Sequence, residues 1–233
     1  MKTFRRLLSG LLVAVAVLFH VVPARAAGRE VREVAAFTEI SLANSATVIV
    51  TQGSPQKVEV EGSPEDLSRL ETTVSNSKLR IGTTPGLKNP TFGKITVYIT
   101  VPTINSLTVN GSGTLRAGSI QASKLQLAVS GSGRLEVSTL QATELHSSVS
   151  GSGTISAAGT SPTHFVDING SGSVKANDLR SESGKVSISG SGNCHLNVTG
   201  SLDASLRGSG NVVVTGNPTI NSKTLGSGRV RRG

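Results

Sequence analysis

The sequence predicts an all-β solenoid, a parallel β-helix with coils of about 20 residues. The tripeptide Gly-Ser-Gly occurs seven times, at spacings of 20, 20, 19, 20, 18 and 18 residues, and a near-constant period of this length is typical of repeat architectures. Apolar residues alternate with polar ones on both sides of each triplet, which is the period of a strand. The chain has no Trp and few other aromatic residues, so its core must be thin and aliphatic.

The N-terminal segment, residues 1–26, has the features of a secretory signal peptide. A positively charged start precedes an apolar run over residues 7–19, and Ala-Arg-Ala at residues 24–26 matches the small-x-small pattern of a cleavage site. The apolar run is shorter than the ~20 residues that a bilayer-spanning helix needs. We therefore expect export of a mature chain without a transmembrane span, to the periplasm, the medium or the cell surface.

Residues 27–104 show strand patterns without the triplet. Alternating runs such as TVIVTQG and KVEVEG end in glycine, and charges are denser here than in the repeats. Between the runs, SPEDLSRLETTV predicts one helical turn with Ser63 as the N-cap and Pro64 at the first helical position. No linker follows this part, so we expect an antiparallel or irregular β portion of the same domain, which leads into the first coil.

Residues 105–228 contain the repeats, and their apolar columns predict the core. Aligned on the first glycine, one position is aliphatic in six successive copies, and we expect it to form a continuous buried column: Val109, Val129, Val149, Ile168, Ile188 and Leu206. Each coil should rise by the ~4.8 Å spacing of paired strands, so six intervals give a rod of roughly 29 Å. Cys194 falls in another apolar column, and as the only cysteine it has no partner for an internal disulfide.

The triplets predict tight corners between short strands. Glycine tolerates positive φ and close backbone approach, and the serines would form a ladder whose hydroxyls bond to backbone groups at the corner. The predicted turn residues are Gly111, Gly113, Gly131, Gly133, Gly151, Gly153, Gly170, Gly172, Gly190, Gly192, Gly208, Gly210, Gly226 and Gly228.

A ligand-binding role for the triplets does not fit their surroundings. Phosphate loops need a following Lys and Ser or Thr, and dinucleotide loops need a following helix. No triplet is followed by a lysine, an acidic residue or a helical pattern. We therefore expect no cofactor and no metal.

The last copy differs from the others. Its Lys223 and Arg232 are assigned to columns that are apolar in earlier copies, and Leu225 moves to an outward position. A charged final coil protects an open sheet edge, so we interpret this copy as a C-terminal cap. The basic tail, residues 229–233, is expected to be solvated and frayed.

The chain resembles the family called putative auto-transporter adhesin, head GIN domain. The resemblance rests on FTEISLANSATVIVTQG, VEVEGSPEDLSRLETTVSNSKLRI, the VPTINSLTVNGSG junction and the Gly-Ser-Gly series, and it covers nearly the whole mature chain. It implies a right-handed, pectin-lyase-like parallel β-helix with Gly-Ser-Gly at tight turns. It also implies no recognised catalytic residues and an inferred role in cell adhesion.

No cluster of reactive residues is evident in the repeats. His146, His164 and His195 fall in three different columns, and each is expected to be exposed. Glu136 lies one repeat after Arg116, which predicts a cross-strand ion pair, and Asp167 stands among serines. Glycosidases need two carboxylates that face one sugar linkage, so we predict no catalytic residues.

Two classes of function remain. The first is an exported, non-catalytic module for cell-surface adhesion or envelope scaffolding, whose partner is a surface or envelope component such as a polysaccharide. The second is a carbohydrate-binding or carbohydrate-active protein on the same fold, which the scarcity of aromatic residues disfavours. Mild basicity persists after the four cations of the signal segment are removed from the net charge of +9, but the lack of aromatic side chains argues against nucleic-acid binding.

Overall fold

The computed structural model describes residues 28–86 and 93–233. The predicted signal peptide, residues 1–26, lies outside the described residues. The fold is all-β, with 72% strand and 3% helix, and forms a solenoid of about six turns. The fold class predicted from the triplet period and the alternation is therefore confirmed.

Seventeen strands and one short helix are assigned in the described residues. In chain order they are β1 Gly28–Val31, β2 Glu39–Leu42, β3 Thr47–Gln52, β4 Lys57–Gly62, α1 Pro64–Arg69, β5 Leu70–Ser75, β6 Lys78–Thr83, β7 Thr96–Val101, β8 Ser106–Gly111, β9 Thr114–Gly131, β10 Arg134–Gly151, β11 Thr154–Thr160, β12 Thr163–Gly170, β13 Ser173–Gly190, β14 Asn193–Gly208, β15 Asn211–Thr215, β16 Thr219–Leu225 and β17 Arg229–Arg232.

Successive coils stack in parallel, with corner on corner. Within the pair β9 and β10, Leu115 faces Leu135 and Val129 faces Val149. We call the surface formed by the strand segments that lead into the corners the entry face, and the surface formed by those that leave the corners the exit face. Since side chains alternate along a strand, each face has an inner, apolar side and an outer, polar side.

The predicted core column is confirmed. The members of the column at Val109 face one another from coil to coil, and each is at most 1% exposed. Leu, Val, Ile and Ala provide almost all of the buried side chains. A thin core suffices here because each coil buries its inner side chains against the coils above and below it.

The N-terminal part forms coils of the solenoid itself, which was not expected. The coil formed by β2 and β3 lies between two others, since β2 pairs in parallel with β6 and β8, and β3 with β7 and β9. Antiparallel pairs of β1 with β4, β4 with β7 and β5 with β6 extend the sheet at this end. Helix α1 starts as predicted, with Ser63 as N-cap accepting a hydrogen bond from the Asp66 amide at 3.1 Å.

The final coil corrects two expectations. Lys223 faces Ser205 in an outward column, and it is Thr224 that stands opposite the apolar Leu206. The assignment of Lys223 to an apolar column was wrong by one position, whereas Leu225 does lie in an outward column opposite Arg207. The basic tail does not fray, because β17 pairs in parallel with β15.

Candidate functional site

The first glycine of each triplet lies in the left-handed half of backbone space. At Gly131 the φ angle is +115°, and a Cβ added there would lie 2.8 Å from the Gly111 carbonyl oxygen of the preceding coil. The second glycine is buried, and a Cβ on Gly133 would lie 2.5 Å from Val109 Cγ1. The two glycines therefore face different constraints: the first faces backbone strain and the second faces core packing.

Backbone hydrogen bonds link each corner to the one before it. The Ser132 amide donates to the Gly111 carbonyl at 3.1 Å, and the Arg134 amide donates to the Gly113 carbonyl at 2.9 Å. These amides are satisfied by the neighbouring coil, so they do not need the serine hydroxyls that we expected to serve them. The serine side chains are exposed and form a ladder along one edge of the rod.

A further corner lies in the part of the chain that lacks the triplet. Leu42 faces Val109 and Thr47 faces Thr114, so Asn44-Ser45-Ala46 occupies the place of a Gly-Ser-Gly. The Thr114 amide donates to the Ala46 carbonyl at 3.0 Å, which repeats the hydrogen bond of the later corners. Sequence reasoning missed this corner because only its serine matches the repeat.

His164 is buried, which contradicts its expected exposure. It is 1% exposed, and its Nε2 lies 2.9 Å from Ser147 Oγ. Burial lowers the pKa of His164 to about 3, with the charge of nearby His146 as a smaller cause. The signal was available in the sequence, because His164 alternates with the core residues Val166 and Ile168.

His146 and His195 are exposed, as predicted. The His146 ring stacks on Phe165 of the next coil, with ring centroids 4.5 Å apart. His146 Nε2 also lies 2.9 Å from Glu144 Oε1, and Lys124 Nζ lies 3.3 Å from the same oxygen. Hydrogen bonds from His146 and then from Lys124 lower the pKa of Glu144.

The remaining candidate residues are Glu136, Cys194 and Asp167, and they lie apart from one another in different environments. Arg116 Nε donates to Glu136 Oε2 at 2.8 Å, which confirms the predicted cross-strand pair. Cys194 is fully buried, as expected from its column, and burial raises the pKa of its thiol. Asp167 is exposed on the entry face. Within residues 28–86 and 93–233, no three His, Cys, Asp or Glu side chains are grouped so as to hold a metal ion.

Two of the shallow grooves on the surface of the described residues lie near polar side chains. One, of about 590 Å³, is lined on the side opposite the corners by Thr160, Pro162, Arg180, Glu182 and Thr199, among others. The other, of about 560 Å³, is bordered by the cluster of Lys124, Glu144 and His146 and also by Glu39. Both are concave, and each is lined by side chains that can donate and accept hydrogen bonds. In the part of the chain that the structure describes, the helical segment is too short to cross a bilayer.

The family model described as putative auto-transporter adhesin, head GIN domain, matches residues 36–218. The chain belongs to this family. The match spans both the N-terminal coils and nearly all of the Gly-Ser-Gly series. No curated protein matches the chain significantly.

Solved structures share the fold at low sequence identity. A putative adhesin from Bacteroides fragilis aligns with a TM-score of 0.82 and 23% identity, over 90% of this chain and 98% of that one. A putative lipid binding protein from Parabacteroides distasonis gives 0.75 and 21%, over 89% and 97%. A putative adhesin from Parabacteroides merdae gives 0.73 and 21%, over 89% and 96%. These similarities show that the chain shares the fold of the solved structures.

Proposed function

We propose that the chain is an exported, non-catalytic β-solenoid that binds a component of the cell surface or envelope, as an adhesin or a scaffold. The observation that carries the proposal is that several reactive side chains are paired or buried, whereas the exposed faces are extended and polar. Glu136 and Glu144 are held in ion pairs, and His164 and Cys194 are buried in the core. The entry face, by contrast, exposes rows rich in Ser, Thr and Asn, and the exit face exposes polar and charged side chains; both suit an extended contact with a partner.

The family description and the names of two of the solved relatives support an adhesive role. The signal-like segment at residues 1–26 supports export. The predicted turn glycines have a structural part in this proposal: they let the corners stack closely, and stacked corners keep the two faces flat and continuous.

A carbohydrate-active enzyme is the second candidate, and the groove bordered by Glu39 and Glu144 is the observation that favours it. Two carboxylates on one sugar linkage are the usual requirement for glycoside hydrolysis. Glu39 Oε2, however, lies 3.0 Å from Lys78 Nζ, and Glu144 is paired with Lys124. An acid catalyst needs a raised pKa, whereas its ion-pair partners lower the pKa of Glu144.

Co-sedimentation with purified envelope material tests the proposal. The purified protein should pellet with isolated outer-envelope fractions and bind saturably, while bovine serum albumin at the same concentration stays in solution. Failure to bind envelope fractions, intact cells or their extracted polysaccharides would contradict a role in adhesion or scaffolding.

A further inference from the structure

Ion pairing divides the protein into two parts. Of the described Lys and Arg residues between 29 and 146, all but Lys94 lie within 4.0 Å of a carboxylate oxygen. From residue 147 onward the described chain carries eight Lys and Arg residues and four acidic residues. None of these eight cations has such a partner among the described residues. Their charge is therefore not neutralised within the molecule.

The exit face holds three of these eight cations in two adjacent outward columns. In one outward column Lys175 faces His195, His195 faces Val213, and Val213 faces Arg231. In the column beside it, Asn193 faces Asn211, which faces Arg229. We call these six polar residues the basic panel: Lys175, Asn193, His195, Asn211, Arg229 and Arg231. Three strand spacings of ~4.8 Å separate Lys175 from Arg231, so the panel is roughly 14 Å long.

The panel carries no carboxylate. The outward residues of the exit face from β11 onward are Ser, Thr, Asn, Ala, Val and cationic side chains. The carboxylate that follows this face in the chain, Asp178, accepts a hydrogen bond from Asn177 at 2.8 Å. The entry face of the same coils is mixed, because Asp167 and Asp203 lie among three cations, Lys185, Arg207 and Lys223, and neutral residues. From β11 onward a polyanion would therefore meet cations without carboxylates on the exit face, whereas on the entry face it would meet both.

The shape and composition of the panel favour an extended polymer over a membrane or a nucleic acid. The exposed large apolar side chains, Val31, Ile49 and Leu225, lie outside the panel, so it offers little to insert between lipid chains. It also has no Phe, Tyr or Trp ring on which a base could stack. Amide groups of Asn193 and Asn211 beside the cations supply the hydrogen bonds that sugar hydroxyls need.

We propose that the basic panel binds an acidic polysaccharide. The carboxylates of the polymer pair with Lys175, Arg229 and Arg231, and its hydroxyl groups form hydrogen bonds with Asn193 and Asn211. This inference rests on the proposed function and names the chemical class of the surface component. Binding should weaken as salt is raised, because the Debye length falls from ~10 Å at 0.1 M to ~3 Å at 1 M.

The test compares two charge-matched variants of the full-length mature protein by biolayer interferometry on immobilised polygalacturonate. K175Q/R231Q removes two cations from the panel, and K185Q/K223Q removes two from the entry face. Circular dichroism and thermal melting verify that both variants are folded. We expect the panel variant to bind about tenfold more weakly, a difference of about 1.4 kcal/mol, and the entry-face variant to change less than twofold.

Four outcomes would overturn the inference. Equal losses in the two variants would mean that net charge alone drives binding. Equal affinity for neutral dextran would mean that the carboxylates are not recognised. Tighter binding to phosphatidylglycerol vesicles or to duplex DNA than to polygalacturonate would assign the panel to another class of partner. Undiminished binding of the panel variant to envelope fractions would refute the panel while leaving the proposed function standing.

Discussion

Replacing His164 and Ser147 together should make the protein markedly less sensitive to acid. His164 is held neutral in an aliphatic core, where Ser147 Oγ is its hydrogen-bond partner at 2.9 Å. Leucine suits position 164, because Leu145 stands opposite it in the coil before. Alanine at position 147 removes the hydroxyl that would otherwise be left buried without a partner. The variant H164L/S147A therefore removes the titrating group and its partner together.

The expected size of the effect follows from the pKa of the imidazole. It falls from the ordinary value of 6.5 to about 3 on folding. Above pH 6.5 the imidazole is neutral in both states and costs nothing. As the pH falls from 6.5 towards 3, the unfolded chain takes up a proton that the folded protein does not, so stability is lost over this window. At 1.36 kcal/mol per pKa unit, the loss is about 3 kcal/mol at pH 4.5 and roughly 5 kcal/mol at pH 3.

Urea unfolding at pH 7.5 and pH 4.5 measures this loss directly. Wild type should lose about 3 kcal/mol more than H164L/S147A between the two conditions. Carboxylates with a lowered pKa, such as Glu59 and Glu144, are present in both proteins, so their contribution cancels in the difference. The exposed His195→Gln is the matched control and should behave like wild type. An equal loss in wild type and in the double variant would refute the burial of a neutral imidazole.

Two further changes test the corner and the core. Gly151→Ala should lower the free energy of unfolding by about 1–3 kcal/mol, because Gly151 has a φ of +110° and its added Cβ would lie 2.8 Å from the Gly131 carbonyl oxygen. The control Gly118→Ala, with nothing within 4 Å of its Cβ, should change it by less than ~0.5 kcal/mol. Equal losses in the two variants would contradict a special role for the corner. The Cys194 thiol should resist Ellman's reagent in the folded protein and react fully in urea, because burial raises its pKa and excludes the reagent. Rapid reaction without denaturant would contradict the position of Cys194 in the core.

The strands, corners and core of the repeats were predictable because the same pattern recurs in each coil. When Val109 and its equivalents align at a near-fixed period, a single choice of register fixes which side of every strand is inside. The Arg116–Glu136 pair followed from the same alignment. His164 is buried against expectation because a histidine is usually exposed, although its alternation with Val166 already indicates an inward position.

The N-terminal coils were less predictable because their pairing is not local. The coil of β2 and β3 packs between coils that come later in the chain, and Gln52 Nε2 donates to the carbonyls of both Pro102 and Gln121, each at 3.1 Å. Sequence periodicity carries no information about such partners, which lie 50 and 69 residues away. The basic panel was missed for a related reason. Its cations are spread over many residues along the chain, and only the stacking of β13, β14, β15 and β17 brings them together.

Binding and turnover measured on the same sample test the central claim most directly. The purified protein is incubated with extracted envelope polysaccharide, and the bound polymer is analysed for new reducing ends and for unsaturated products. The account predicts saturable binding with no change in polymer length. Turnover that is abolished by replacing Glu136 or Asp167 would contradict it, because it would show that a residue assigned here to an ion pair or to a solvent-exposed row performs catalysis.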